Sequence, residues 1–221
     1  MGITSIIEAQ DGTLWFGTFG GGLSRYVAET DSFVRYRHDP ADISTLSDNR
    51  IMTLHEDEEG RIWIGTQVGL NLLVPETGAV FRIQQDESSV TSLANNFIWS
   101  ILHDIDNNIW VGTQGGGLNL LTQININSGR IEFEKFHTGN LLPSDVVYGI
   151  LEDQEGFLWV TTNKGMVKLN RETKEVLIYT KAHGLQENEF NSGSFFKDHK
   201  GFMYFGGING ITRFHPSNIQ A

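Results

Sequence analysis

One aromatic-centred motif returns five times along the chain, and no other feature restricts the fold as much. It reads Thr13-Leu14-Trp15-Phe16-Gly17-Thr18, Arg61-Ile62-Trp63-Ile64-Gly65-Thr66, Asn108-Ile109-Trp110-Val111-Gly112-Thr113, Phe157-Leu158-Trp159-Val160-Thr161-Thr162 and Phe202-Met203-Tyr204-Phe205-Gly206-Gly207. The anchors Trp15, Trp63, Trp110, Trp159 and Tyr204 follow one another at intervals of 48, 47, 49 and 45 residues. A fixed period of this length marks a repeat architecture, in which each unit stacks on its neighbours to bury faces it cannot bury alone.

Each unit divides into four short strands. Three residues before the anchor stands Gly12, Gly60, Asn107, Gly156 or Gly201, the residue types that tolerate the positive φ of a tight turn. Before that turn run Ser5-Ile6-Ile7, Thr53-Leu54-His55, Ser100-Ile101-Leu102, Gly149-Ile150-Leu151 and Ser194-Phe195-Phe196, short and apolar as strands covered on both faces should be. The anchor segment is the second strand. A Gly-containing loop leads to the third (Gly22 to Tyr26, Gly69 to Leu73, Gly117 to Leu121, Gly165 to Leu169, Gly210 to Phe214), and a further turn to the fourth (Ser32 to Arg37, Ala79 to Ile83, Ile131 to Phe136, Glu175 to Tyr179). The expectation is an all-β chain: a β-propeller of five four-stranded repeats, the fifth lacking its outermost strand. It forms one propeller domain over residues 1–221, or a fragment of a seven-bladed one, with blades at about 3–50, 51–97, 98–146, 147–190 and 191–221.

The five anchors read as core, since face-to-face packing of radial sheets demands one large aromatic at the same strand position of every blade. Asp57, Asp104, Asp153 and Asp198, each six residues before an anchor, read as turn caps, with Ala9 breaking the series. A net charge of −11 opposes the attraction to phosphate that nucleic-acid and anionic-membrane binders use, so neither partner is expected. With no Cys, disulfides and zinc-thiolate sites are excluded. No run approaches the 18 apolar residues of a membrane helix and the start has no basic region before an apolar stretch, so the chain itself is expected to be soluble and to carry no address.

Leu151-Glu152-Asp153-Gln154-Glu155-Gly156-Phe157-Leu158-Trp159-Val160, Ile62-Trp63-Ile64-Gly65-Thr66 and Leu46-Ser47-Asp48-Asn49-Arg50-Ile51 resemble the two-component regulator propeller repeat. The resemblance covers all five repeats, and Gly184 to Asn191 followed by Tyr204 to Gly210 and Phe214-His215-Pro216 looks like the closing repeat of such a sensor. It implies the ligand-binding sensor region of a bacterial histidine kinase, hybrid two-component regulator or related membrane-bound receptor, periplasmic or extracytoplasmic, with the output chemistry outside these residues. The sequence departs from the repeat at Thr161, where the other copies carry Gly.

Within that frame the chain reads as a binder of a small molecule or oligosaccharide, not an enzyme. The runner-up is a propeller enzyme of lyase or glycosidase type, and a third class is a protein-interaction scaffold. No carboxylate pair or repeated His stands near a nucleophile. Asp104-Ile105-Asp106-Asn107-Asn108 lacks the Gly and Glu of a calcium loop, and the Gly runs after Phe19 and Gln114 precede strands and so have no helix N-terminus to offer a phosphate. No cofactor and no metal are expected. Ligands of propellers sit where loops converge on the channel mouth. The candidates there are Gln67, Gln114, Asn163 and Asn209 after the second strands, and Arg50, Trp99 and Tyr148 at the start of the first strands. Aromatic faces beside amides and an Arg suit a carbohydrate. His55, polar where other blades carry Ile7, Leu102, Leu151 and Phe196, is a core residue or a channel-lining one. If five blades keep the spacing of a larger ring, both terminal sheet faces stay open and favour association with another copy.

Overall fold

The computed structural model describes residues 2–219. Its regular structure is nineteen strands and three single-turn 3₁₀ segments. The first sheet joins β1 (Ile3–Glu8), β2 (Leu14–Thr18), β3 (Gly22–Val27) and β4 (Ser32–Tyr36). The second joins β5 (Ile51–Glu56), β6 (Ile62–Thr66), β7 (Gly69–Val74) and β8 (Ala79–Ile83), and the third β9 (Ile98–His103), β10 (Ile109–Thr113), β11 (Leu118–Asn125) and β12 (Arg130–Phe136). The fourth contains β13 (Val147–Glu152), β14 (Phe157–Thr162), β15 (Gly165–Asn170) and β16 (Val176–Tyr179). The fifth has three strands, β17 (Phe190–Lys197), β18 (Met203–Gly207) and β19 (Gly210–Phe214). Every sheet is antiparallel in sequence order, so each repeat is one propeller blade.

Four apolar clusters join the sheets in series. Trp15 and Leu23 pack on Leu54, Ile62 and Ile64 of the second sheet, Trp63 and Leu70 on Ile101 and Val111 of the third, Trp110 and Leu118 on Ile150 and Val160 of the fourth, and Trp159 and Met166 on Met203 and Phe205 of the fifth. Glycines make this close packing possible. A Cβ on Gly17 would lie 2.6 Å from Ile51, one on Gly65 2.7 Å from Ile98 and one on Gly112 2.6 Å from Val147, so the first residues of β5, β9 and β13 each seat in a notch of the preceding sheet. Burial of this kind contributes about 1.5–3 kcal/mol per large side chain.

The Asp residues before the anchors do more than cap turns. In the second sheet Asp57 Oδ1 accepts the backbone N–H groups of Glu59 and Arg61, while Oδ2 accepts the Trp63 indole N–H at 2.8 Å. Asp104 and Asp153 hold Trp110 and Trp159 in the same way at 2.7 and 2.8 Å, and Asp198 accepts the Tyr204 hydroxyl at 3.0 Å. One carboxylate thus fixes both the turn and the rotamer of the buried ring, satisfying a donor that would otherwise be desolvated without a partner.

The two outward faces differ from the inner ones. Leu23, Leu70, Leu118 and Met166 are fully buried, whereas their register-equivalent in the fifth sheet, Ile211, is 69 % exposed. On the opposite side Ile6 is 56 % exposed where Leu54 is 6 %. No apolar cluster joins the fifth sheet to the first among the described residues.

Candidate ligand-binding site

The inner strands place the site. In the first four sheets the pairing of the first two strands slips by one residue near its start, between Ile3 and Ser5, Ile51 and Thr53, Ile98 and Ser100, and Val147 and Gly149. The residue left unpaired in each is Thr4, Met52, Trp99 or Tyr148. A β-bulge kinks the strand and re-aims one side chain out of the alternation. The residues just before three of these bulges, Ile51, Ile98 and Val147, are fully buried, whereas the bulged residues Met52, Trp99 and Tyr148 are only half-buried, Tyr148 resting on the edge of the last core cluster. The repeat therefore has one position per blade at this end of the inner strand where the core does not dictate the side chain.

Two of the four bulge residues are large aromatics, and they meet across neighbouring sheets. The Trp99 and Tyr148 ring centroids are 6.1 Å apart with planes at 59°, and Phe97 lies 4.5 Å from Trp99. Trp99 and Tyr148 are half-buried, unlike the four fully buried anchors. The Trp99 indole N–H donates to the Gln114 side-chain carbonyl, and the Gln114 backbone N–H donates to the Phe97 carbonyl at 3.0 Å. Loop and bulge are thereby one unit. The Tyr148 hydroxyl titrates above its ordinary range because burial disfavours the phenolate and the Glu189 charge adds to that.

The other expected residues scatter around this pair. Arg50 is exposed, and its Nε donates to both carboxylate oxygens of Asp48 at 3.1 Å, so its charge is already matched. Burial alone would raise the Asp48 carboxyl, but the Arg50 guanidinium and backbone N–H outweigh it and hold the carboxyl below its usual value. The Gln67 backbone N–H reaches the Arg50 carbonyl at 3.3 Å. Asn163 accepts the Ser144 hydroxyl at 2.5 Å. Asn209 is committed to Gln186, whose side-chain carbonyl takes its backbone N–H at 2.7 Å and whose backbone carbonyl takes its amide at 3.2 Å.

His55 lies towards the other end of its strand, opposite Trp63. Its ring meets that of His103 edge to face at 5.5 Å, and its Nε2 is buried without a partner. Burial and the neighbouring His103 lower its pKa to about 4, against an opposing pull from Asp57.

Sequence spacing misplaces one residue. It aligns Asn191 with Arg50, Phe97 and Val146, whereas the Ile208 backbone N–H donates to the Glu189 carbonyl as those of Gln67 and Gln114 do to Arg50 and Phe97. In the fifth sheet four residues, Asn191 to Ser194, face Gly206 alone between the Phe190 and Phe195 pairings. The longer bulge shifts the equivalence by two, and only the register reveals it.

Five antiparallel sheets in series, each anchored on the next by a buried aromatic, define a β-propeller. The two component regulator propeller profile matches residues 1–20, 45–67, 92–115 and 141–164, and these four stretches are repeats of that family. Each matched stretch contains one bulge residue and one anchor. Histidine kinase P4 of Formosa agariphila is 33 % identical over 213 residues, which make up 96 % of this chain and 15 % of that protein. Among solved structures, a B. thetaiotaomicron extracellular domain assigned to a hybrid two component system superposes with a TM-score of 0.81 at 25 % identity, covering 99 % of this chain and 30 % of that one. Virginiamycin B lyase of Staphylococcus aureus shares the fold, with a TM-score of 0.69 at 14 % identity over 98 % of this chain and 67 % of that one. The chain thus spans less than a third of the length of the two-component relatives.

Proposed function

We propose that this propeller is a ligand-receiving module of the extracytoplasmic sensor region of a membrane-bound two-component receptor, and that its ligand is a small molecule, an oligosaccharide above all, held at the mouth by Trp99 and Tyr148. The observation that carries this reading is the bulge, which leaves two neighbouring aromatics half-buried and sets them side by side with an amide. Tilted, half-exposed rings of this kind match the apolar face of a sugar, and Gln114 supplies hydrogen bonding to hydroxyls. The family and its relatives, a histidine kinase and the extracellular domain of a hybrid two component system, support the signalling role. On this reading the chain itself turns over no substrate.

Calorimetric titration with a panel of oligosaccharides tests it. Saturable binding is expected, lost in Trp99→Ala and Tyr148→Ala at unchanged melting temperature. Release of an altered product would move the chain to the lyase reading, and binding that survives both substitutions would displace the site. The apolar outward faces of the first and fifth sheets further suit self-association, and light scattering at micromolar concentration reads it, a strict monomer removing that contact.

A further inference from the structure

The first sheet lacks a group that the next four possess. Ala9 stands where Asp57, Asp104, Asp153 and Asp198 stand, yet the backbone of its turn is unchanged. The Ala9 N–H donates to the Thr13 carbonyl at 2.8 Å as that of Asp57 does to Arg61 at 3.0 Å, and the Gly12 N–H returns to the Ala9 carbonyl at 2.8 Å as that of Gly60 does to Asp57 at 3.0 Å. The anchor is also in register, with Trp15 opposite Ile7 as Trp63 is opposite His55. The carboxylate is missing and Asp11 takes over one of its backbone donors, the Thr13 N–H at 2.8 Å, but two side-chain donors near its place are left. Trp15 is 99 % buried, with no carboxylate to receive its indole N–H. Arg25, its cross-strand neighbour, has its Cζ 5.9 Å from the Trp15 ring, and its Nε is buried with no acceptor.

These donors line a cleft of about 180 Å³ between the first two sheets, together with Ala9 and Asp11 and, from the second sheet, Glu56 and Glu76. A water takes up about 30 Å³ of liquid, so the cleft has room for a group of several heavy atoms. We propose that it is a carboxylate site, in which a free monocarboxylate of formate or acetate size replaces the absent side chain, accepting hydrogen bonds from the Trp15 indole and the Arg25 guanidinium. Such charge-assisted bonds are the stronger kind. Acidic neighbours do not by themselves exclude a held carboxylate in this repeat. Asp104 sits beside Asp106 and Glu152 around Arg171, and burial, which alone would raise its pKa, is outweighed by donation from Trp110, Asn108 and Arg171. At the cleft, Glu56 of the second sheet is held by the Gln10 N–H at 2.8 Å and Asp11 by the Thr13 N–H at 2.8 Å.

The test is chemical complementation. Melting is followed in sodium formate and in sodium chloride at equal ionic strength, for the wild-type chain, Ala9→Asp and Arg25→Gln. Formate is expected to raise the wild-type melting temperature saturably, by roughly 5–10 °C at a hundredfold excess over Kd. Ala9→Asp should melt higher without formate and not respond to it, and Arg25→Gln should lose the response. In parallel, formate should move the Trp15 indole N–H proton resonance, assigned with Trp15→Phe, in the wild-type chain. Equal effects of formate and chloride on melting, an unmoved indole resonance, or an Ala9→Asp chain that responds like wild type would each overturn the site. Should Ala9→Asp not fold, the indole resonance decides alone.

Discussion

The chain uses tryptophan in two ways, and the contrast separates what holds the fold from what the fold presents. Trp15, Trp63, Trp110 and Trp159 are 1 % exposed or less, sit at the same strand position in successive sheets, and in three cases give their indole N–H to a buried carboxylate. Trp99 is half-buried on a bulge, gives its indole N–H to an amide, and has Thr4, Met52 and Tyr148 as its counterparts. Identity repeats where a neighbouring sheet constrains the side chain. It varies where a bulge lifts that constraint, and that freedom is what a ligand site requires.

Substitutions break the contrast in order of size. Trp63→Ala or Trp110→Ala should cost about 3–5 kcal/mol by leaving a cavity between sheets, read in denaturant unfolding. Asp104→Ala, which makes the third sheet like the first, should cost about 2–4 kcal/mol, because Trp110 loses its acceptor and Arg171 loses a buried carboxylate at 2.7 Å. Trp99→Ala, in the other class, should change stability by about 1 kcal/mol or less. If Trp99→Ala proved as costly as Trp110→Ala, the division would fail.

A pH series sharpens the same division from the core side. The folded-state pKa of His55, about 4, lies below the ordinary histidine value of 6.5, so the fold prefers the neutral ring. The associated stability is complete above the unfolded value and is lost as pH falls from about 6.5 towards 4, reaching about 2 kcal/mol by pH 5. His103 and Asp57 are the charged neighbours that modulate it. His55→Leu, the residue of the third sheet at Leu102, should remove this part of the acid sensitivity when ΔG of unfolding is compared at pH 7 and pH 5. An unchanged difference between the two pH values would mean that His55 is hydrated.

Much of the architecture was legible because the repeat is strict: the anchors, the Gly turns and the strand order all follow from one aligned motif. The Asp residues before the anchors read as turn caps, but their bond to the indole did not, since six residues of spacing do not reveal that two side chains fold back to one point across a turn. The aromatic pair Trp99 and Tyr148 was legible as a shared position, whereas the bulge that exposes it was not, because a one-residue slip leaves no mark in composition. Glu189 was missed for the same reason, the fifth bulge being longer. The exposure of Ile211 is legible only from the place of its sheet in the series, since it is as apolar as Leu70 and the presence or absence of a neighbouring sheet alone distinguishes them.

The most direct measurement uses the difference between the two kinds of tryptophan. Indole emission depends on local environment, and of the five only Trp99 sits outside the inter-sheet core. Tryptophan emission is therefore followed while an oligosaccharide that binds calorimetrically is titrated into the wild-type chain and into Trp99→Phe. A saturable change with the calorimetric midpoint in the wild type, absent in Trp99→Phe while that variant still melts normally, is the expected result. The same change in Trp99→Phe, arising from the buried anchors, would contradict a mouth site built on the bulge.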